Sequence, residues 1–299
     1  MNDAIVIWNR REGRYENENV YNGGILRWAY GSSAWGAAFR EVVLVRRWFS
    51  HLYGWLHERP RSQRKIAPFI QQYRIPSDEF EPGPYRSFND YFIRSFRPGM
   101  RRFDPDADRL CAFAEGRYLA FPTLSSGVQV PVKGVQMDLD TLLGADAARS
   151  FHGGPCLIAR LAPVDYHRFH FPDDGDKGAS WRLGGRLDSV HPYALRRRPR
   201  VLLENERHVT LLESANFGRL ACVEVGAMGV GRIVQTHAAP SFARGEEKGY
   251  FLFGGSTVIL VGQPGTFTLD DELVRQTELG FETFVRLGEP VGGRQGRLP

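Results

Sequence analysis

The chain has 299 residues and a mass of 33.9 kDa, enough to bury a full core as one large domain or two smaller ones. Hydrophobic residues make up 42% and charged residues 24%, which excludes a disordered chain, and no run reaches the roughly 18 apolar residues that a spanning helix needs. The net charge of +5 is modest and balanced, so a nucleic-acid partner is not expected without a reader motif, and none is present. The opening segment has an early acid and only a short apolar run, unlike a secretory signal, and the protein is expected to stay in the cytoplasm.

From Tyr21 to Phe96 the apolar residues recur at helical spacing: Ile25, Trp28 and Ala29, then Phe39, Val42, Val43 and Val45, then Trp48, Phe49, Leu52, Trp55 and Leu56. This predicts three or four helices, and residues 1–98 are read as a helical subdomain. Trp8, Trp28, Trp35, Trp48 and Trp55 are five of the six tryptophans, and Arg40, Arg46, Arg47, Arg59, Arg61 and Arg64 accompany them. Indole and guanidinium groups on one helix suit contact with an anionic lipid surface. The same tryptophans would equally serve as the core of an ordinary helical layer. Both readings stand at this level.

After Pro98-Gly99 short apolar runs alternate with Gly, Pro, Asp and Asn turns, which predicts a β-rich body over residues 99–299 and an α+β fold class. The run Arg196 to Arg200 reads as a solvated loop. Cys111, Cys156 and Cys222 are odd in number and widely spaced, so neither a disulfide framework nor structural zinc is expected. Nucleophile-elbow, Walker, dinucleotide and zinc-protease motifs are all missing.

Two segments remain. Asp165-Tyr166-His167-Arg168-Phe169-His170 follows an apolar strand, and residues three apart on an extended chain point to opposite faces, so the histidines are not expected to share a metal. Two histidines with different duties, or one functional and one satisfied in the core, fit better, with Asp165 and Arg168 as a surface ion pair. Gly254-Gly255-Ser256-Thr257 joins two apolar strands; it is either a plain turn or a strained site. In a strained site Ser256 Oγ could attack the Gly255 carbonyl once a histidine removes its proton, and the resulting ester would break by β-elimination.

Together these segments resemble the phosphatidylserine decarboxylases, in the shorter bacterial type without a spanning anchor. The resemblance extends through Phe49-Ser50-His51-Leu52-Tyr53-Gly54, Ser87-Phe88-Asn89-Asp90-Tyr91-Phe92, Ser189-Val190-His191-Pro192, Glu204-Asn205-Glu206-Arg207 and Glu247-Lys248-Gly249-Tyr250-Phe251. It implies a proenzyme that cuts itself between Gly255 and Ser256 into a β chain, 1–255, and an α chain, 256–299. Ser256 would become a pyruvoyl group, with no free cofactor or metal. That group would form a Schiff base with phosphatidylserine and yield phosphatidylethanolamine at the cytoplasmic face of the cell membrane. By resemblance His170 is the cleavage base and His167 assists proton handling during decarboxylation. Glu115, in Ala114-Glu115-Gly116, stands where the family has a relay aspartate, so self-cleavage is expected to be slower. The alternatives are a pyruvoyl decarboxylase of a free amino acid, or an uncut lipid-binding homologue. Expected partners are the lipid substrate, an anionic membrane surface and the chain's own two fragments; a homo-oligomer is compatible with the sequence. Asn205 and Arg207 could hold the phosphate or be structural. His51, His57, His152, His191, His208 and His237 join no constellation.

Overall fold

The computed structural model describes residues 5–18, 23–31, 33–124, 137–198, 200–228 and 232–295. Tyr21, Pro199 and the side chains of Ile25 and Arg196 lie outside the described residues. A ten-stranded sheet runs in the order Ser241–Phe242, Gly175–Leu183, Arg207–Ser214, Gly218–Gly226, Ser256–Gly262, Cys156–Leu161, Gly116–Phe121, Glu282–Val285, Val6–Asn9, Arg14–Asn17. All pairs are antiparallel except Val6–Asn9 with Glu282–Val285. The central strands Cys156–Leu161 and Ser256–Gly262 are buried at every residue, which explains their continuous apolar runs rather than alternation. A fold of α+β type is what the body's turn-punctuated runs require.

Two smaller sheets flank this one. Ile233–Gln235, Glu247–Phe251 and Arg168–His170 form the first, and Phe267–Leu269, Pro290–Arg294 and Arg109–Cys111 the second. The N-terminal third contributes the helices Gly23–Ala29, Ala34–Phe39, Arg47–Glu58, Ile66–Tyr73 and Phe88–Phe92. Its first residues instead form the hairpin that closes one sheet edge.

The helices pack through a second core, separate from that of the sheet, in which Phe69, Phe88, Tyr91 and Phe92 meet Tyr166, Phe253 and Leu287. Ser87 caps the helix Phe88–Phe92 by accepting from Asp90 N at 3.1 Å, and Asn89 Oδ1 accepts from Phe253 N at 2.9 Å. The helical layer is thus bonded to the backbone that leads into Ser256.

The helix Arg47–Glu58 turns its large apolar side chains outward. Its buried residues are Ser50, Gly54 and His57, while Trp48, Leu52, Trp55 and Leu56 are about half exposed. Small residues let the helix axis lie close to the body, and the large apolar groups are left outside. Arg186 and Arg198 fix the layer from the other side by gripping Glu41 at 2.7 and 2.8 Å. Arg198, read above as part of a solvated run, is therefore an anchor.

Candidate active site

Strand pairing brings the two singled-out segments together. Ser256 opens the central strand and pairs with Leu161 on one side and Gly226 on the other. The chain leaving Leu161 turns through Asp165 and His167, then pairs Arg168–His170 with the strand Glu247–Phe251 that leads to Ser256. Residues 89 apart in sequence thus share one end of the sheet.

The backbone before Ser256 is constrained. Gly254 has φ +148°, a conformation that L side chains rarely adopt. A Cβ on Gly255 would meet Val190 Cγ2 at 3.2 Å. Gly254 is required by its backbone angle, and a side chain at Gly255 would press on Val190, so the path is not that of an interchangeable turn.

Ser256 is fully buried, and its Oγ has no hydrogen-bond partner. His167 is also fully buried, and its Nε2 has none. Nδ1 of His167 lies 3.0 Å from the Asp165 carbonyl oxygen, which can only accept, so the proton sits on Nδ1 and Nε2 keeps its lone pair. Burial lowers the His167 pKa to about 3 against the pull of that hydrogen bond, with Arg94 and Arg117 lowering it further and the Gly254 backbone raising it. His167 is thus a neutral ring beside the segment before Ser256. Other buried polar atoms also lack partners, Arg94 Nε and Tyr91 Oη among them, but Ser256 Oγ and His167 Nε2 lie on the segments that strand pairing brings to one end of the sheet.

Asp165 is not on the surface. Its carboxylate is buried, bonds Arg117 and accepts from Ala162 N at 2.6 Å. Burial pushes its pKa up against the attraction of Arg117. Arg94, fully buried, donates to the carbonyls of Val164 and Asp165 at 2.9 and 3.2 Å, and so fixes the turn that carries His167. Arg168 pairs instead with Glu247 at 2.7 Å. Nothing in local sequence marks Arg94 or Arg117 as partners of this turn; only Asn89 sat in a motif already singled out.

His170 lies on the other side of Tyr166. Its Nδ1 donates to the Gly245 carbonyl at 2.9 Å, and Nε2 lies 3.1 Å from Tyr166 Oη. Burial lowers its pKa. Glu115 is bonded by Arg101 at 2.5 and 2.8 Å and accepts from Leu287 N at 3.2 Å. Arg101 lies over Phe96, and Phe96 against Tyr166. His170 N donates to the carbonyl of Phe113, two residues before Glu115, at 2.8 Å, but the structure does not join the side chains of Glu115, His170 and Ser256 by hydrogen bonds.

Asn205 and Arg207 are buried and structural. Asn205 holds the backbone of Asp188 and Gly226, and Arg207 donates to the carbonyls of Thr141, Leu142, Leu203 and Asn205. The three cysteines are free and buried. Among the described residues no group of three or more His, Cys, Asp and Glu side chains is placed to hold a metal ion.

A buried serine thus follows Gly254 and Gly255, with a neutral histidine beside the same turn. Comparison with known proteins gives the family. Residues 88–293 match the phosphatidylserine decarboxylase family. The phosphatidylserine decarboxylase proenzyme of Desulfitobacterium hafniense strain Y51 is 39% identical over 297 residues, covering 98% of this chain and 99% of that protein. Those of Clostridium novyi strain NT and Clostridium botulinum strain Langeland are 39% and 38% identical, covering 96% and 97% of this chain and 99% and 100% of theirs. The chain belongs to the phosphatidylserine decarboxylase family.

Proposed function

We propose that this protein is a self-cleaving proenzyme that removes the headgroup carboxylate of phosphatidylserine, leaving phosphatidylethanolamine. The observation that carries the reading is the pair of buried, unpartnered atoms, Ser256 Oγ and His167 Nε2, at the strand end behind Gly254 and Gly255. Ser256 Oγ attacks the Gly255 carbonyl carbon, the peptide nitrogen leaves, and an ester links the two parts of the chain. Loss of the Ser256 α-proton then expels the Gly255 carboxylate, and water replaces nitrogen as ammonia to leave a carbonyl at residue 256. That pyruvoyl carbonyl supplies the electron sink needed when carbon dioxide leaves the substrate.

By family resemblance His170, supported by Glu115, takes the Oγ proton during cleavage. In the structure Nε2 of His170 must first leave Tyr166 Oη, and the carboxylate of Glu115 must loosen from Arg101. His167 needs no such change to exchange a proton near residue 256, which suits repeated turnover. The pieces stay together after the cut, because Ser256–Gly262 and Glu282–Val285 remain strands inside the large sheet. The fragments 1–255 and 256–299 are thus each other's partners.

Substrate reaches the site from a membrane surface. Of the twelve large apolar side chains exposed among the described residues, eight lie between Trp28 and Leu56. Trp35 is 82% exposed and Trp48 55%, which favours the lipid-contact reading of the tryptophans over the core reading. Among the described residues no helix is long and apolar enough to cross a membrane. The attachment proposed is peripheral, at the cytoplasmic face.

Denaturing mass spectrometry tests the cleavage. The expected result is a fragment of 44 residues, roughly 5 kDa and lacking a free N-terminal amine, beside one of roughly 29 kDa. Both should be absent in Ser256→Ala, and carbon dioxide release from phosphatidylserine should be absent with them. A single uncut wild-type chain would overturn the reading in favour of a non-catalytic lipid binder.

A further inference from the structure

The molecule gathers three arginines, two of which neither the fold nor the chemistry above employs. A cleft of about 240 Å³ is lined by Arg47, His51, Arg182, Glu206, Gly226 and Arg232. A second, of about 230 Å³, shares His51 and Arg232 and continues to Trp55 and Leu252. Glu206 is the one acid on the first, and Arg47 already holds it at 2.9 Å. Arg182 and Arg232 are exposed and have no ion-pair partner among the described residues. An excess of fixed positive charge with unused guanidinium donors attracts an anion.

The position of the cleft says which anion. Gly226 is the cross-strand partner of Ser256, so the floor of the cleft lies about 4.8 Å, one strand spacing, from residue 256. In a serine phospholipid the amine nitrogen and the phosphorus are four bonds apart, so an amine bound at residue 256 carries its phosphate up to about 6 Å from that residue, a reach that includes Gly226 and the arginine cluster beside it. A side chain there would occupy that space, and its Cβ would also meet Leu187 Cδ2 at 3.3 Å. From the phosphate the path continues past His51 and Arg232 to Trp55, on the outward apolar face of its helix, where acyl chains belong.

We infer that Arg182 and Arg232, with Arg47 and His51 beside them, form the subsite for the phosphodiester of the substrate. This rests on the lipid-decarboxylase reading and deepens it, because the subsite rewards a phosphate that a free amino acid lacks. Glu206 tempers the field by occupying Arg47. Specificity for the lipid thus arises in the cleft as well as at the membrane.

The test uses the cleaved wild-type protein and glycerophosphoethanolamine, a headgroup without acyl chains that is not decarboxylated, measured by calorimetric titration. Arg182→Gln and Arg232→Gln should each weaken binding about tenfold or more, the loss expected for a charge-assisted hydrogen bond. Arg182→Lys and Arg232→Lys should recover part of it, and Glu206→Gln should tighten binding. Melting temperature checks that each variant folds. Unchanged affinity in both glutamine variants overturns the subsite. So does inorganic phosphate binding as tightly as glycerophosphoethanolamine, which would make this a site for free phosphate. Failure of the wild-type protein to release carbon dioxide from phosphatidylserine is a separate result and counts against the proposed function instead.

Discussion

The helical layer and the sheet body invert the usual partition of residues. In the body, Arg117, Arg160, Glu18 and Glu282 are buried in one connected set, with Arg160 holding Glu18 and Glu282 at 2.8 and 2.7 Å. Lys248 is buried against Glu224 at 2.9 Å, with Thr210 and Gln235 completing its hydrogen bonds. In the layer, Trp28, Trp35, Trp48 and Trp55 face outward. Buried charge is tolerated where every partner is in place, because the desolvation cost is offset by pairing and hydrogen bonds. Exposed tryptophan is tolerated where a surface other than water is to cover it. One region buries charge against charge, and the other leaves large rings outside.

The sharpest way to break this contrast is at the two histidines, where the body carries chemistry. His170→Ala is expected to leave a single uncut chain on a denaturing gel. His167→Ala is expected to cleave yet lose about 10²- to 10⁴-fold in decarboxylation rate, the usual contribution of a positioned proton-transfer group. The reverse pattern would assign cleavage to His167, whose Nε2 is already free.

Stability should separate the regions next. Arg160→Met leaves Glu18 and Glu282 buried without their shared cation and should cost about 3–5 kcal/mol in urea unfolding. Trp35→Ser, at a residue that packs on little, should change stability by about 0.5 kcal/mol or less. Comparable losses at both positions would erase the distinction between body and layer.

Acid sharpens the same point. The native pKa of His167 is about 3, whereas an unfolded histidine titrates near 6.5. Below pH ~6.5 the unfolded chain binds a proton that the native ring refuses, so this contribution to stability is lost as pH falls toward 3. Between pH ~7 and ~4.5 the wild-type protein should therefore lose about 2–3 kcal/mol more than His167→Gln in parallel urea titrations. Equal losses would mean that the ring is not held neutral by burial.

The smallest expected effect belongs to the layer. Changing Trp35, Trp48 and Trp55 together to Ser should lower partition onto phosphatidylglycerol vesicles about tenfold or more, without moving the melting temperature. Raising salt should weaken the wild-type interaction, because cations of the layer meet anionic headgroups. Equal wild-type binding to neutral and anionic vesicles would leave the exposed face without an electrostatic partner.

Much of the active centre could be read from adjacent residues. Gly254-Gly255-Ser256 reads as either a plain turn or a strained path before a serine, because that geometry concerns consecutive atoms, and the φ of Gly254 chose between them. Asp165 to His170 was legible for the same reason, and the α+β class followed from apolar periodicity. The partners of those residues were not legible. Glu115 meets Arg101, His170 meets Tyr166 and Gly245, and Asp165 meets Arg117, and sequence spacing does not reveal such pairings. His51, which joins no constellation of site residues in the sequence, lines both clefts because its helix runs beside them.

Sequence alone determined the chemistry available at Ser256, the family to which the chain bears resemblance, and the existence of an apolar and a polar face along residues 47–58. Tertiary structure decided which face turned outward, which acids were already taken by arginines, and that Gly226 and the arginine cleft lie beside Ser256. The physical reason is range. Local sequence dictates backbone angles and periodicity, whereas burial, charge pairing and the neighbours of a strand end depend on segments that meet only after the sheet has formed.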